Sequence, residues 1–573
     1  MNAGGGPAPR GRRASVLGVA ALTLAALALR LTGIDFGLPV ALEQDCKIPL
    51  QVERLESGDP HPEQDPEFRW YPLLVARLAT LGPNRAEAPV GAPLERQLAA
   101  AARPHVTVRT TVALLAVLAV PGTFLLARAF LAPGWSLVAA AWVAFSLLGQ
   151  SFAQQSRPHA PAAALYLVAV LAALRLRRRP SWGSYLCAGV ATALALGTLQ
   201  SAVLLAPALA AAHLLREGPR RLLDPKLALL LLPIALALPV FYPFLQVGSG
   251  ENVLELGGHL IFLEQFNGRG FFALARALVS YEPVLLALAV LGALALVLPK
   301  GRDRSPPSGA RRADLAVVLA FALPYLAVFG LYERTYERFA LPLVPYLACL
   351  AAYAPARLAE RRPRAAILLA LLALALPAYG CARLAWIRSR PHTSERAAHW
   401  VAEHVDPADE VLLFPPTLDL PLFRAPEGLV AGERTTAELA HLPWARYQAR
   451  HPERPEGARA WRLRWMPLDA GLGAIAADPD GWLAGLGGEW AVIEVFADNR
   501  VHPLGTRIRE ALRRRATRVA RLSPDRRDGY SEHPLGYQDE TSVPAPHLLR
   551  RVLQAQGTGP VIEIYRLSGA YRR

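Results

Sequence analysis

A helix that crosses a bilayer needs roughly 20 consecutive apolar residues, with about 17 as the lower end. Apolar runs of about that length, free of charge apart from Asp314, recur at 14–29, 110–127, 134–155, 159–174, 182–199, 201–215, 227–246, 283–298, 313–332, 339–356 and 365–382. The pattern predicts eleven spans, all helical, joined by polar segments. The stretch 180–215 carries no charge over 36 residues, which suits two helices turning near Gln200 and Ser201. The first run follows three arginines but has no small-residue cleavage site after it, so it reads as a retained anchor and not as a signal peptide.

The polar segments alternate in charge. Basic clusters collect at Arg10, Arg12 and Arg13, at Arg128, at Arg175 to Arg179, at Arg216, Arg220, Arg221 and Lys226, at Lys300, Arg302, Arg304, Arg311 and Arg312, and at Arg357 to Arg364. Each falls in an alternate gap, and short basic loops stay cytoplasmic, so the N-terminus is expected inside. The first loop, 33–104, holds eleven Asp and Glu against seven Arg and Lys and is expected outside. An odd number of spans puts the polar tail outside too. Segment 302–309 reads as a Pro/Ser/Arg linker. The outer loop 247–280 is amphipathic. Around its glycines, 251–272 alternates apolar and polar groups, which suits either a cover over a bound lipid or an inert membrane-surface segment.

In the tail the period changes. Helical spacing at 394–404 precedes strand-like runs at 410–414 and 490–496, then helices at 504–516 and 547–556 and a last strand at 561–565. Strands that alternate with helices predict a small α/β sheet domain over 386–573, after a membrane domain over 1–385.

Composition agrees. The 573 residues are 53% hydrophobic and 19% charged, with mean hydropathy +0.24. A soluble chain carries about 25% charged residues, so the composition argues against a soluble enzyme and for a polytopic membrane protein. The net charge of +16 is largely topological and calls for no nucleic-acid partner. Cys46, Cys187, Cys349 and Cys381 have neither metal-type nor disulfide-framework spacing. No P-loop, zincin helix, nucleophile elbow or dinucleotide fingerprint occurs.

The first loop carries the most chemistry. Ile48, Val52 and Leu55 share one helix face, which predicts a short helix with its apolar side on the membrane surface. A second short helix begins near Pro72. Between them stand Asp45, Glu53, His61, Phe68, Trp70 and Tyr71. A carboxylate at a lipid boundary is partly desolvated, which raises its basicity and suits proton abstraction or metal contact; the alternative is an ordinary solvated loop charge. Trp70 and Tyr71 either stack on a sugar ring or belong to the interfacial aromatic belt.

Several motifs resemble one family. The run GIDFGLP (33–39), the acidic residue soon after it and the WYPL element, then SFAQQSRPHAPAAALYL (151–167), ERFALPLVP (337–345), DPADEVLLF and the terminal GPVIEIYRL are similar to the polytopic GT-C glycosyltransferases, in the protein O-mannosyltransferase and aminoarabinose-transferase-like group. The resemblance implies a mostly α, transmembrane GT-C fold of about eleven helices with a C-terminal extracytoplasmic α/β domain. It further implies transfer of a sugar from a polyprenyl-phosphate donor to a lipid, glycan or protein acceptor, in a bacterial-type plasma membrane.

By the same resemblance Asp45 is the general base, or contacts a divalent metal. Arg338, Arg334 and Arg157 receive the donor phosphate, whose negative charge grows as the anomeric bond breaks; interfacial anchoring is the alternative for each. Two positions depart from the family pattern. Cys46 stands where relatives often carry a second acid, and His159 stands where "RPD" has its carboxylate. His159 either binds phosphate or a hydroxyl, or caps its helix. Glu53 or Glu63 can supply the missing acid. A flippase of lipid-linked saccharide is a second reading; it requires charge deep in the spans, of which the sequence shows almost none. A non-catalytic GT-C-like scaffold is the third.

Overall fold

The computed structural model describes residues 9–40, 47–58, 67–83, 88–89, 91–216, 223–243, 247–250, 253–256, 259–297, 309–426, 442–467, 472–495, 503–524 and 548–567. Asp45, Cys46, His61 and Glu63 lie outside them, as do Arg220, Arg221, Lys300, Arg302, Arg304 and most of the linker.

Each of the eleven apolar runs becomes helix. Among the described residues six helical stretches are long and apolar enough to cross a membrane: Arg13–Leu31, Leu94–Ala127, His159–Arg178, Gly309–Leu331, Glu337–Ala359 and Pro363–His404. Two further runs are bent pairs. Pro133–Ala144 and Leu147–Ala153 meet at 48°, and Arg269–Tyr281 and Pro283–Val297 at 115°. Trp182–Leu196, Gln200–Leu214 and Leu227–Phe241 are shorter apolar helices. The chain is thus a multi-pass membrane protein. Its second long helix starts at Leu94, well before the expected 110, and carries Pro104 inside it.

The first loop folds onto the protein. Lys47–Ser57 is helical as expected, but Ile48 and Val52 are fully buried in the main core with Val75, Ala76, Val108 and Val112. The apolar face therefore packs against Leu74–Ala79 and Leu94–Ala116, which corrects the expectation that it lies against lipid. Within 247–262 three short antiparallel strands form a meander, β1 (Val247–Gly250), β2 (Val253–Leu256) and β3 (His259–Phe262).

The C-terminal part carries a mixed five-stranded sheet of β4 (Glu410–Phe414), β5 (Arg462–Trp465), β6 (Trp490–Val495), β7 (Ala516–Leu522) and β8 (Val561–Leu567), in the order β5-β4-β6-β8-β7. Strand β4 runs parallel to β5 and β6, whereas β8 runs antiparallel to β6 and β7. Strands β5 and β7 escape the sequence pattern because both are arginine-rich, RLRW and ATRVARL, and neither is fully buried. The sheet part is not detached. Leu549, Val552 and Ala555 belong to the same core as the membrane helices, and Trp444 lies in a cluster with Val40 and Ala101.

Candidate functional site

The GIDFGLP turn sets the frame. The Arg109 guanidinium donates to the carbonyls of Ile34 at 2.7 Å and Phe36 at 3.1 Å. The Phe36 ring is in contact with two guanidinium groups, Arg109 at 4.5 Å and Arg388 at 4.2 Å. Gly33 has φ +66°, and a Cβ there would sit 2.6 Å from the Arg388 carbonyl carbon, so only glycine fits. In this fold the motif clamps the first loop against the helix Pro363–Arg388.

The segment Ser146 to His159 delivers the site. Arg388 donates to Gln154 Oε1 at 2.6 Å, and Gln154 donates to the Thr32 carbonyl at 2.8 Å. Gln150 donates to the Leu29 carbonyl at 3.1 Å. Arg157 and His159 follow directly, both buried. Arg338, also buried, stands on the turn of helix Glu337–Leu343 and donates from Nε to His159 Nε2 at 3.0 Å. Guanidinium nitrogens only donate, so His159 Nε2 accepts and the proton of the neutral ring is on Nδ1. Tyr71 stands edge-on to the imidazole at 6.2 Å and Phe339 at 5.6 Å. Beside them Glu337 lies in electrostatic reach of Arg338, Arg157 and Arg276. Among the described residues three guanidinium groups thus lie around one carboxylate and one neutral imidazole, and their balance is positive. Such a cluster suits a phosphate and not a divalent cation. Among the described residues no group of three or more His, Cys, Asp or Glu is arranged to hold a metal ion.

The expected residues separate. His159, Arg338, Tyr71 and Arg157 assemble. Trp70 is half-buried, with Lys47 Nζ 3.6 Å over its ring and its carbonyl accepting from Gln200 at 2.9 Å. Glu53 pairs with Arg446, and with Arg450 at 3.2 Å, so it ties the first loop to the C-terminal part. Arg334 is exposed. The neighbouring Glu333 accepts from Asn267 at 2.7 Å and pairs with Arg269 at 2.6 Å, and its carboxyl is held below the usual range by those two bonds. Gly268 also donates to the Leu331 carbonyl at 2.8 Å, so the chain just after β3 is fastened beside the Arg338 turn.

One pair went unnoticed in the sequence. Arg30 and Glu282 are both buried at the break between Pro133–Ala144 and Leu147–Ala153, which corrects the expectation of almost no charge within the spans. Arg30 donates to the carbonyls of Val143 and Ala144, each at 3.3 Å. Glu282 accepts from Ser146 Oγ at 2.7 Å and from the Leu148 amide at 3.0 Å. Each charge faces the helix end of opposite polarity, so together they satisfy a backbone that the bend leaves open. The signal was present as a charge before Pro283 and a serine inside an apolar run, but neither has a helical period.

Residues 98–246, about a quarter of the chain, match the family described as dolichyl-phosphate-mannose-protein mannosyltransferase. The match falls within the helical part and takes in one of the resembling motifs, SFAQQSRPHAPAAALYL at 151–167. The fold is that of a polytopic helical membrane protein, and its residues 98–246 are similar to this mannosyltransferase family. No curated protein matches the chain.

Three solved structures are similar in outline. ArnT from Cupriavidus metallidurans bound to undecaprenyl phosphate is 14% identical over 88% of this chain and 96% of its own, with a TM-score of 0.45. The Archaeoglobus fulgidus oligosaccharyltransferase AglB, in complex with an inhibitory peptide and a dolichol-phosphate, is 12% identical over 90% of this chain and 73% of its own, also at 0.45. The mycobacterial arabinofuranosyltransferase AftD is 15% identical over 96% of this chain and 40% of its own, at 0.40. Likeness at this level transfers no residue roles.

Proposed function

We propose that the protein transfers a sugar from a polyprenyl-phosphate donor to a lipid, glycan or protein acceptor on the extracytoplasmic face. The observation that carries this is the Arg338–His159 contact in a buried, net positive cluster. A buried guanidinium is costly beside lipid unless an anion or polar partner meets it. Arg338, Arg157 and Arg276 face one carboxylate, Glu337, and the donor phosphate supplies a second anion to the cluster. As the anomeric carbon–oxygen bond to phosphate breaks, its electrons pass to the phosphate oxygen, and Arg338 and Arg157 stabilise that charge.

Asp45 is the proposed general base. It takes the proton from the acceptor hydroxyl while that oxygen attacks the anomeric carbon. Support comes from the described residue two places on: Lys47 caps the Trp70 ring, and the adjacent Tyr71 touches His159. Purified protein supplied with a polyprenyl-phosphate monosaccharide and acceptor should release free polyprenyl phosphate, and Asp45→Asn should abolish the release while still inserting in the membrane. Full activity in that variant removes Asp45 from the mechanism. The N-terminus is proposed to face the cytoplasm of a bacterial-type plasma membrane and the sheet part the outside. A reporter fused after Arg178 should read as cytoplasmic.

The broken span and its Arg30–Glu282 pair favour a second reading, a flippase for lipid-linked saccharide, since such proteins place charge at interrupted helices. Movement of a labelled lipid across vesicles without bond cleavage would support that reading over transfer.

A further inference from the structure

The helix His159–Arg178 has the site at one end and arginines at the other. Its 20 residues span about 30 Å, the thickness of a hydrocarbon core, so the arginine end lies at the opposite membrane surface. There a groove of about 620 Å³ opens between this helix, Ala119–Ala127 and Trp182–Leu196, within the roughly 300–1,000 Å³ range of small-molecule sites. Its walls are apolar, with Leu125, Val168 and Leu171, and Gly122 in the floor. Its mouth is formed by Arg175, Arg178 and Arg179, all exposed. Arg178 is partly neutralised by Asp314 at 2.7 Å. From Val168 to Arg179 the groove runs about 16 Å along the helix, half of a bilayer core, the depth of one leaflet.

We propose that this groove is a binding site for an anionic glycerophospholipid of the leaflet opposite the Arg338–His159 cluster. One acyl chain lies along Leu125, Val168 and Leu171, and the phosphate is held by Arg175 and Arg179, with Arg178 fixed beside them. Length selects a lipid chain of one leaflet; the three cations select a negative headgroup. The site is independent of the transfer reaction and holds no substrate of it.

Native mass spectrometry of the purified full chain in detergent tests this with phosphatidylglycerol, phosphatidylcholine and undecaprenyl phosphate as probes. Phosphatidylglycerol should be retained at least about 25-fold over phosphatidylcholine, roughly fivefold for each of Arg175 and Arg179. The Arg175→Gln/Arg179→Gln double variant should lose that preference by roughly fivefold for each arginine removed, at unchanged melting temperature. Cys187 lines the groove and is exposed, so its labelling by a maleimide should slow with phosphatidylglycerol and not with phosphatidylcholine. Ala129→Trp fills the groove with the arginines intact and should also lower retention. Equal retention of the two phospholipids, an unaffected double variant, or preference for undecaprenyl phosphate would overturn the assignment. Should Ala129→Trp fail to fold, the arginine variant and the Cys187 labelling decide.

Discussion

Arginines gather around a single glutamate in two places, at β8 and at the end of helix His159–Arg178 away from the groove. In the sheet, Glu563 is fully buried and accepts from Arg509 at 2.8 and 2.7 Å, from Arg518 at 3.1 Å, from Arg521 at 3.0 Å and from Tyr565 at 2.7 Å. Burial alone would raise its pKa, but those bonds outweigh it and hold the carboxyl near about 2. The surplus arginines there reach water, which dissipates their charge. At the other cluster Arg157 and Arg338 are buried, and the bond from Arg338 Nε goes to a neutral ring. In the sheet the one carboxylate takes up most of the arginine donors, whereas in the second cluster a buried arginine donates to a neutral ring, which is the arrangement proposed to receive the phosphate.

The comparison breaks first at Arg338. Arg338→Ala should lower kcat/KM for the donor by roughly 10²- to 10³-fold, carried mainly by donor KM, with Arg338→Lys intermediate. His159→Asp restores a carboxylate beside Arg338 and cancels its charge; donor KM should rise by about tenfold while acceptor KM stays unchanged. Any fall in donor KM would show that the neutral ring is not what opens the cluster.

The sheet cluster should respond to acid and not to donor. The depressed Glu563 pKa stabilises the fold above the unfolded carboxyl value near 4.5, and the contribution is lost as pH falls towards about 2. Wild type should therefore lose roughly 1–3 kcal/mol across that window, and Glu563→Gln should show less of this pH dependence, as read by chemical denaturation. An identical acid profile in the variant would contradict the assignment. The smallest effect belongs to Arg334→Ala: the side chain is exposed, and donor kcat/KM should change by less than about threefold. A larger loss would return Arg334 to the phosphate site.

How much the sequence reveals depends on period. Apolar runs of membrane length and the α/β alternation at 394–414 are regular and were legible, and short motifs singled out Arg338 and His159, which the fold brings into contact. The break at Phe145–Ser146 was not, because it interrupts an apolar run without a charge or a proline. Nor was the role of Glu53, whose partners Arg446 and Arg450 lie some 400 residues away in sequence. Burial of Ile48 and Val52 against Val108 also escaped, since an amphipathic helix reads alike whether it faces lipid or a neighbouring helix.

Equilibrium binding of a polyprenyl phosphate to purified wild type and to Arg338→Ala, at matched melting temperature, tests the central claim most directly. The wild type should bind, and the variant should bind at least about a hundredfold more weakly. Equal affinity in the two proteins would mean that the buried guanidinium beside His159 is not where the donor phosphate goes.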